Sequence, residues 1–434
     1  MNTRSSISAR IYGSVVAILL LILAARATFA ESRQPEDDKS SALLDGTKIE
    51  TRVTWNHIVR LAEEHPQIGA SQHRVAAAHA AVDAAGAVPN PSLEATTAYG
   101  QAIDNSASKV EWGLSLSIPL GWIAQRRARI NAADAGASLE EAQAMALRRD
   151  VLLQLRVLFW TLVYQQERVT ALIELDNQMS SLASTVKLRV EKGEVRPVEA
   201  MRVEVEAEKV AGELEVAGLA LAASSKRLAV WLGVRDSKRL VAEANLNQLP
   251  EPITPELARQ RAGRHPILDA AKAREQSLAA SVTVERRARV PSIAVEVFTD
   301  HELDRSAYGV GLAIDLPLWN WNTANIQRSE HLLAAQRKSR EVELLELETL
   351  AIEVLSKCRA GVVLATRYNE SILPGAQSAA QAIERTYQIG EASLLEVIDA
   401  RRTLLDTKRQ FLSALADAQI NCSRLHAIVG KELL

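Results

Sequence analysis

Hydrophobic and polar positions alternate with a period of two in four stretches of the chain, and follow a helical period through most of the remainder. In the first half Val110, Trp112, Leu114, Leu116 and Ile118 alternate with Glu111, Gly113, Ser115 and Ser117. In the second half Tyr308, Val310, Leu312, Ile314 and Leu316 alternate with Gly309, Gly311, Ala313 and Asp315. A weaker alternation precedes each: Leu93, Ala95, Thr97 and Tyr99 around Glu94 and Thr96, then Ile293, Val295 and Val297 around Glu296. Period two marks strands with two unlike faces. The pattern therefore predicts two β-hairpins, with strands at about 92–101 and 110–119, and at about 292–300 and 307–316. Polar loops join the strands of each pair, Asp104 to Lys109 and Asp300 to Arg305.

Each hairpin is followed by a very long helical pattern. From Trp122 to about Arg189 there is no proline, and at 1.5 Å per residue such a helix runs about 100 Å. Asn322 to about Gln388 repeats it, interrupted by Pro374-Gly375. Apolar seams step by three and four through Leu172, Leu175, Met179, Leu182 and Val186, and through Leu344, Leu347, Ala351, Val354 and Cys358. That spacing predicts helix-on-helix packing of the coiled-coil kind. The long helices turn at Glu191–Val195 and Gln388–Ala392, where Gly193 and Gly390 suit a helix C-cap. A second helix then returns to Leu232-Gly233 in one half and Val429-Gly430 in the other.

The two halves are copies. His65-Pro66 returns as His265-Pro266, Pro91-Ser92-Leu93 as Pro291-Ser292-Ile293, Gly193-Glu194 as Gly390-Glu391, and Glu199 as Glu396. An offset of about 200 residues is too long for a solenoid unit and reads as a duplicated half-molecule. The expected organisation is a first repeat at 54–233, a linker at 234–253 and a second repeat at 254–434. Ahead of them come a signal peptide at 1–30 and a short segment at 31–53.

Strands of about ten residues have the length of tilted membrane-spanning strands. Aromatics gather there as an interfacial girdle would: Tyr99, Trp112, Trp122, Phe298, Tyr308, Trp319 and Trp321 lie in or beside the hairpins. A sheet in lipid must close on itself, and four strands cannot. Two chains would give eight strands with an interior filled by side chains; three would give twelve, and three is the preferred count. The competing arrangement is a soluble four-stranded sheet covered by helices, which helices this long do not suit.

Composition adds the compartment. Arg4 and Arg10, the apolar run Val15–Leu23 and the small-residue site Thr28-Phe29-Ala30 form the tripartite pattern of a secretory signal. The mature chain is expected to begin near Glu31. No later stretch is apolar for the 18 or so residues of a membrane-spanning helix. Net charge is −2, from 51 basic and 53 acidic residues, which gives no footprint for nucleic acid.

No nucleophile–base pair or metal motif is visible, so neither an enzyme nor a bound cofactor is expected. Of the eight histidines, His65 and His265 precede proline in both halves, where a helix-end or capping role fits better than a metal ligand. Cys358 lies as far before Gly390 as Cys422 lies after it. An antiparallel hairpin would set them at equal height, in an oxidising compartment. Two buried free thiols and a disulfide fixing the hairpin register both remain open; a bridge needs Cα atoms within about 7 Å.

Three stretches resemble the TolC family of outer membrane efflux proteins: Pro89-Asn-Pro-Ser-Leu93, Ser115-Leu-Ser-Ile-Pro-Leu120, and Tyr387-Gln-Ile-Gly-Glu-Ala-Ser-Leu-Leu-Glu-Val-Ile-Asp-Ala-Arg-Arg402. Pro89–Leu93, Gln125-Arg-Arg-Ala-Arg-Ile130 and Leu316-Pro-Leu-Trp-Asn320 are similar to its heavy-metal (CzcC-like) branch. The resemblance implies a mostly helical chain with a transmembrane β-barrel portion, assembled as a homotrimeric duct in outer membrane lipid with its helical barrel in the periplasm. It implies docking through the tips, at Gly193, Glu194, Gly390 and Glu391, to a periplasmic adaptor and an inner membrane RND pump. The cargo would be heavy-metal cations of the Co/Zn/Cd/Ni or Cu/Ag class; drugs or secreted proteins are the alternatives, and a soluble periplasmic coiled-coil scaffold is the alternative of another class. Glu396 and Asp399 match the acidic residues lining the family's periplasmic constriction, with Glu199 and Arg202 as their counterparts in the first half. Ala392 stands where some relatives carry Arg, so their gating link between protomers does not transfer.

Overall fold

The computed structural model describes residues 51–101, 108–234, 239–251, 253–302 and 304–430. The expected signal peptide, most of the segment after it and most of the first hairpin loop lie outside the described residues.

The chain runs β1 (Thr51–Val53), α1 (Trp55–Ala62), α2 (Pro66–Gly86), β2 (Ser92–Gln101), β3 (Ser108–Pro119), α3 (Trp122–Glu191) and α4 (Pro197–Trp231). After β4 (Leu240–Ala242) the same order returns as α5 (Pro255–Ala262), α6 (Pro266–Arg287), β5 (Ser292–His301), β6 (Ser306–Asp315), α7 (Thr323–Arg367), α8 (Leu373–Gln388) and α9 (Leu394–Ile428). Helix α3 has 70 residues, about 105 Å at the standard rise. Its seam Leu172, Leu175, Met179, Leu182 and Val186 is buried, as helix-on-helix packing requires.

The second long helix is not continuous. Between α7 and α8 a π-helical turn spans Tyr368–Ile372, and the Leu373 N–H reaches back to the Tyr368 carbonyl. Pro374 follows directly; its ring lacks an N–H and crowds the preceding turn, and a widened turn absorbs the mismatch. The strands β1 and β4, which pair in parallel, have no counterpart in the hydrophobic pattern, because three residues carry no readable period. Gln166 on α3 ties β4 in place: its side chain accepts from the Ala242 N–H at 2.8 Å and donates to the Ala242 carbonyl at 3.0 Å.

Among the described residues, three apolar cores hold the helices together. One gathers Ile58, Leu155, Phe159, Leu162, Leu228, Leu240 and Leu415 where α1, α3, α4, β4 and α9 converge. A second runs toward the tips, joining the α3 seam to Val203, Val210, Leu394, Val397 and Leu405. The third surrounds Cys358 and Cys422 with Ala258, Ala262, Ala351 and Leu425.

The four long strands form one antiparallel sheet in the order β2-β3-β5-β6, which leaves β2 and β6 as edges.

Candidate functional site

Register sorts the sheet into two chemically different faces. Residues directly opposite each other share a face. Leu93, Ala95, Thr97 and Tyr99 pair with Leu116, Leu114, Trp112 and Val110; Leu116 and Ile118 pair with Val297 and Val295; Val295 and Val297 pair with Leu312 and Val310. This face is apolar across all four strands, and Tyr99, Val110, Tyr308, Val310 and Leu312 are exposed on it. The opposite face carries Glu94, Glu111, Glu296, Asp300 and Asp315 with Lys109 among glycines, alanines and serines. A Cβ on Gly113 would stand 2.6 Å from Asp300 Oδ1, so the glycine leaves room for that carboxylate.

Register and exposure place the aromatics expected at an interface. Tyr99, Trp112 and Tyr308 belong to the apolar face, and Trp319 and Trp321, between β6 and α7, are exposed. Trp122 opens α3 with the Arg126 guanidinium 5.9 Å from its ring centre. Phe298 is a correction. Its register pairs it with Gly309 and Ser115 on the small-residue face, because its position in β5 is out of phase with the apolar set.

At the far ends of the hairpins the two tips are built alike. Gly193 and Gly390 have φ of 74° and 84°, a region that a Cβ disfavours. Gly193 donates to the Val190 carbonyl and Glu194 to that of Arg189; Gly390 donates to Tyr387 and Glu391 to Thr386. These paired bonds are Schellman caps, satisfying the last carbonyls of each long helix. The helices leaving the tips start differently. Pro197 opens α4 without a side-chain cap, whereas Ser393 and Glu396 form a reciprocal capping box on α9.

The expected gate residues separate on inspection. Glu396 is turned back onto Ser393, accepting from its N–H at 2.6 Å and its hydroxyl at 2.9 Å. The Ser393 N–H, then its hydroxyl, hold the carboxyl below its ordinary pKa. Asp399 is exposed and makes no hydrogen bond or ion pair among the described residues. Glu199 is bonded to Arg196, 3.1 Å away, and with Arg202 it lines a cleft of about 550 Å³ between the tips, shared with Arg189, Tyr387 and Leu394. Glu194 faces Arg189 at 3.6 Å. The structure thus brings Glu199 and Arg202 to one cleft, while Glu396 and Asp399 are not among its lining residues.

A web of ion pairs around α9 escaped the sequence reading. Arg402 meets both oxygens of Glu206 on α4 at 2.8 Å, and Lys209 meets the same carboxylate at 2.8 Å. Arg401 reaches Glu384 on α8 at 2.7 Å and the Gln178 carbonyl on α3 at 2.8 Å. Lys408 pairs with Glu174 at 3.1 Å and Arg409 with Glu213 at 3.4 Å. Lys209, then Arg402, pull the Glu206 carboxyl below its usual range. The only sequence signal was the basic pair Arg401-Arg402; its partners are 17 to 223 residues away.

His65 and His265 are helix N-caps, each accepting through Nδ1 from the N–H two residues on, at 3.2 Å. Cys358 and Cys422 are disulfide-bonded, their Cα atoms 4.8 Å apart. Among the described residues no group of three or more His, Cys, Asp and Glu side chains forms a metal cluster, and no helix is long and apolar enough to cross a membrane.

The chain matches the outer membrane efflux protein family over residues 57–234 and again over 257–431. It belongs to that family. It is 27% identical over 349 residues to the cobalt-zinc-cadmium resistance protein CzcC of Cupriavidus metallidurans, covering 79% of this chain and 82% of that protein. Among solved structures it superposes on CusC with a TM-score of 0.74 at 17% identity, covering 91% of this chain and 98% of that one. On the open state of the Neisseria gonorrhoeae MtrE outer membrane channel the TM-score is 0.73 at 15% identity, with 92% and 97% covered. The chain therefore has the efflux-channel fold: long antiparallel helical hairpins joined to strands of a barrel wall, in duplicated halves. CusC and MtrE are membrane channels.

Proposed function

We propose that this protein is the outer membrane channel of a tripartite efflux system, a passive duct through which heavy-metal cations leave the cell. The sheet carries this reading. Its apolar face and its two unpaired edges call for lipid outside and further strands alongside, since in a membrane every backbone group must find a partner. Three copies would close a twelve-stranded barrel, an even number within the known range. The acidic face would then line the interior, and carboxylates lining a pore favour cations over anions. The similarity to CzcC, a cobalt-zinc-cadmium resistance protein, points to the same class of cargo.

Energy would come from an inner membrane RND pump, coupled through a periplasmic adaptor docked at the Gly193-Glu194 and Gly390-Glu391 tips. The chain itself supplies a path and a gate. Opening requires the tip hairpins to move apart, a shift between two packings of the same helices. The α9 ion pairs brace one of these packings in each protomer, with Glu199, Arg202, Glu396 and Asp399 around the constriction.

The test is growth of a deletion strain on Zn, Co, Cd, Ni, Cu and Ag salts and on common drugs. Sensitivity confined to metals, restored by the wild-type gene, is the expected result. Sensitivity confined to drugs would keep the duct and replace its cargo.

A further inference from the structure

Away from the sheet and the tips, one cleft holds a cation that no side chain neutralises among the described residues. Arg156 and Trp160 stand four residues apart on α3, hence on one face, and both line a cavity of about 430 Å³ walled by Trp55, Asn56, Leu249 and Gln419. The Arg156 guanidinium lies 4.3 Å from the centre of the Trp55 ring and 5.7 Å from that of Trp160. Its Nε and Nη1 are shielded from solvent, and neither meets an acceptor among the described residues. Trp160, only 7% exposed, likewise has an indole N–H without an acceptor.

The groups that line the cleft do not supply one. Glu243 is bonded to Arg52 at 3.2 Å, and the Gln419 amide donates to the Leu246 and Gln248 carbonyls at 3.2 and 2.7 Å. Burial lowers the Arg156 pKa to about 10, which leaves it charged at neutral pH. Buried donors without acceptors cost stability, and stacking on aromatic rings answers the charge but not the N–H groups. One fixed positive charge with free donors between aromatic walls is the chemistry that receives a carboxylate. A doubly charged phosphate suits it less, because Glu243 shares the wall.

We propose that this cleft binds a carboxylate group, held by the Arg156 guanidinium and the Trp160 indole N–H. Two sources present that group, a small free anion or an acidic side chain of a protein partner, and the experiment separates them. Full-length protein purified in detergent is titrated calorimetrically with benzoate and benzamide, and with acetyl-Ala-Glu-Ala-amide and acetyl-Ala-Gln-Ala-amide. At least one charged probe is expected to bind about 10- to 100-fold tighter than its uncharged partner, the range for a hydrogen bond to a charged group. Benzoate ahead of the Glu peptide assigns a free anion; the reverse order assigns a protein side chain.

Arg156→Met, which keeps the apolar stem, removes the charged-probe preference, and Trp160→Phe weakens binding by roughly threefold to tenfold. If Arg156→Met does not fold, Arg156→Lys and Trp160→Phe decide: the first retains weakened binding with its charge preference, and the second loses affinity. Failure of both charged probes to bind, equal binding of charged and uncharged probes, or affinity unchanged in every folded variant overturns the site.

Discussion

At His265 burial and a hydrogen bond act in the same direction. Its Nδ1 accepts the Ile267 N–H, which only the neutral ring can do. Burial, then the Arg149 charge, lowers its pKa from 6.5 to about 4. Between those values the unfolded chain holds a proton that the folded chain refuses, so stability is complete above about pH 6.5 and falls as the pH drops. The loss reaches roughly 2 kcal/mol near pH 5. His265→Asn keeps a cap acceptor that does not titrate, and thermal melts at about pH 7.5 and pH 5 should show a smaller loss on acidification than in the wild type, the remainder including His65, whose pKa burial also lowers. The tip carboxylates divide similarly into local and collective roles. Glu396→Ala removes half of a capping box and is expected to lower the melting temperature slightly. Asp399 is exposed and touches no partner among the described residues, so Asp399→Ala should leave the melt unchanged and reduce cation preference in single-channel recordings. Unchanged selectivity would remove Asp399 from the pore lining.

Among the elements, α7 and α9 are fastened at one height by two contacts a turn apart. The disulfide closes a sequence separation of 64 residues, for which chain-closure entropy gives about 4 kcal/mol. One turn along, Gly361 lies so close to α9 that an added Cβ would meet the Ala418 backbone at 2.9 Å. Cys358→Ser with Cys422→Ser should therefore lower stability by about 2–4 kcal/mol, and Gly361→Leu by about 1–3 kcal/mol through overpacking; melting of each variant beside the wild type measures both. Below this clamp come the π-helical turn and α8, and there the contacts to α9 include the Arg401–Glu384 ion pair. Glu206→Gln, which weakens the Arg402 and Lys209 pairs together, is expected to raise channel leak with little change in melting temperature. Electrical recording of purified protein in planar bilayers tests it; leak equal to wild type would show that these pairs do not restrain the gate.

At the scale of the whole molecule, the sheet makes the sharpest demand, because two adjacent residues of β6 lie on chemically different faces. Leu312 belongs to the apolar face and Ala313 to the acidic one. A charge on the lipid side costs about 2–4 kcal/mol at mid-bilayer, while the lumen side tolerates it. Leu312→Arg should abolish the folded outer membrane form, and Ala313→Arg should preserve it while shifting selectivity away from cations. Heat-modifiable migration on gels reads the first outcome and reversal potentials the second. If both variants show the heat-modifiable form to the same extent as the wild type, the apolar face of the sheet does not meet lipid.

The sequence alone determined the duplication, the four strands, the long helices and the glycine-turned tips, because each rests on local periodicity or on backbone preference within a few residues. It even carried the capping histidines, since a proline after His65 and His265 marks a first helical turn. Tertiary structure decided what depends on pairing between distant segments. Register alone put Phe298 on the acidic face. Hairpin closure alone brought Cys358 to Cys422, where equal spacing from Gly390 had left both the bridge and free thiols open. Helix packing alone assigned Glu206 to Arg402 and left Nε and Nη1 of Arg156 shielded from solvent with no acceptor among the described residues. Local chemistry repeats along a chain and can be read there; partners, faces and burial are properties of the packed arrangement.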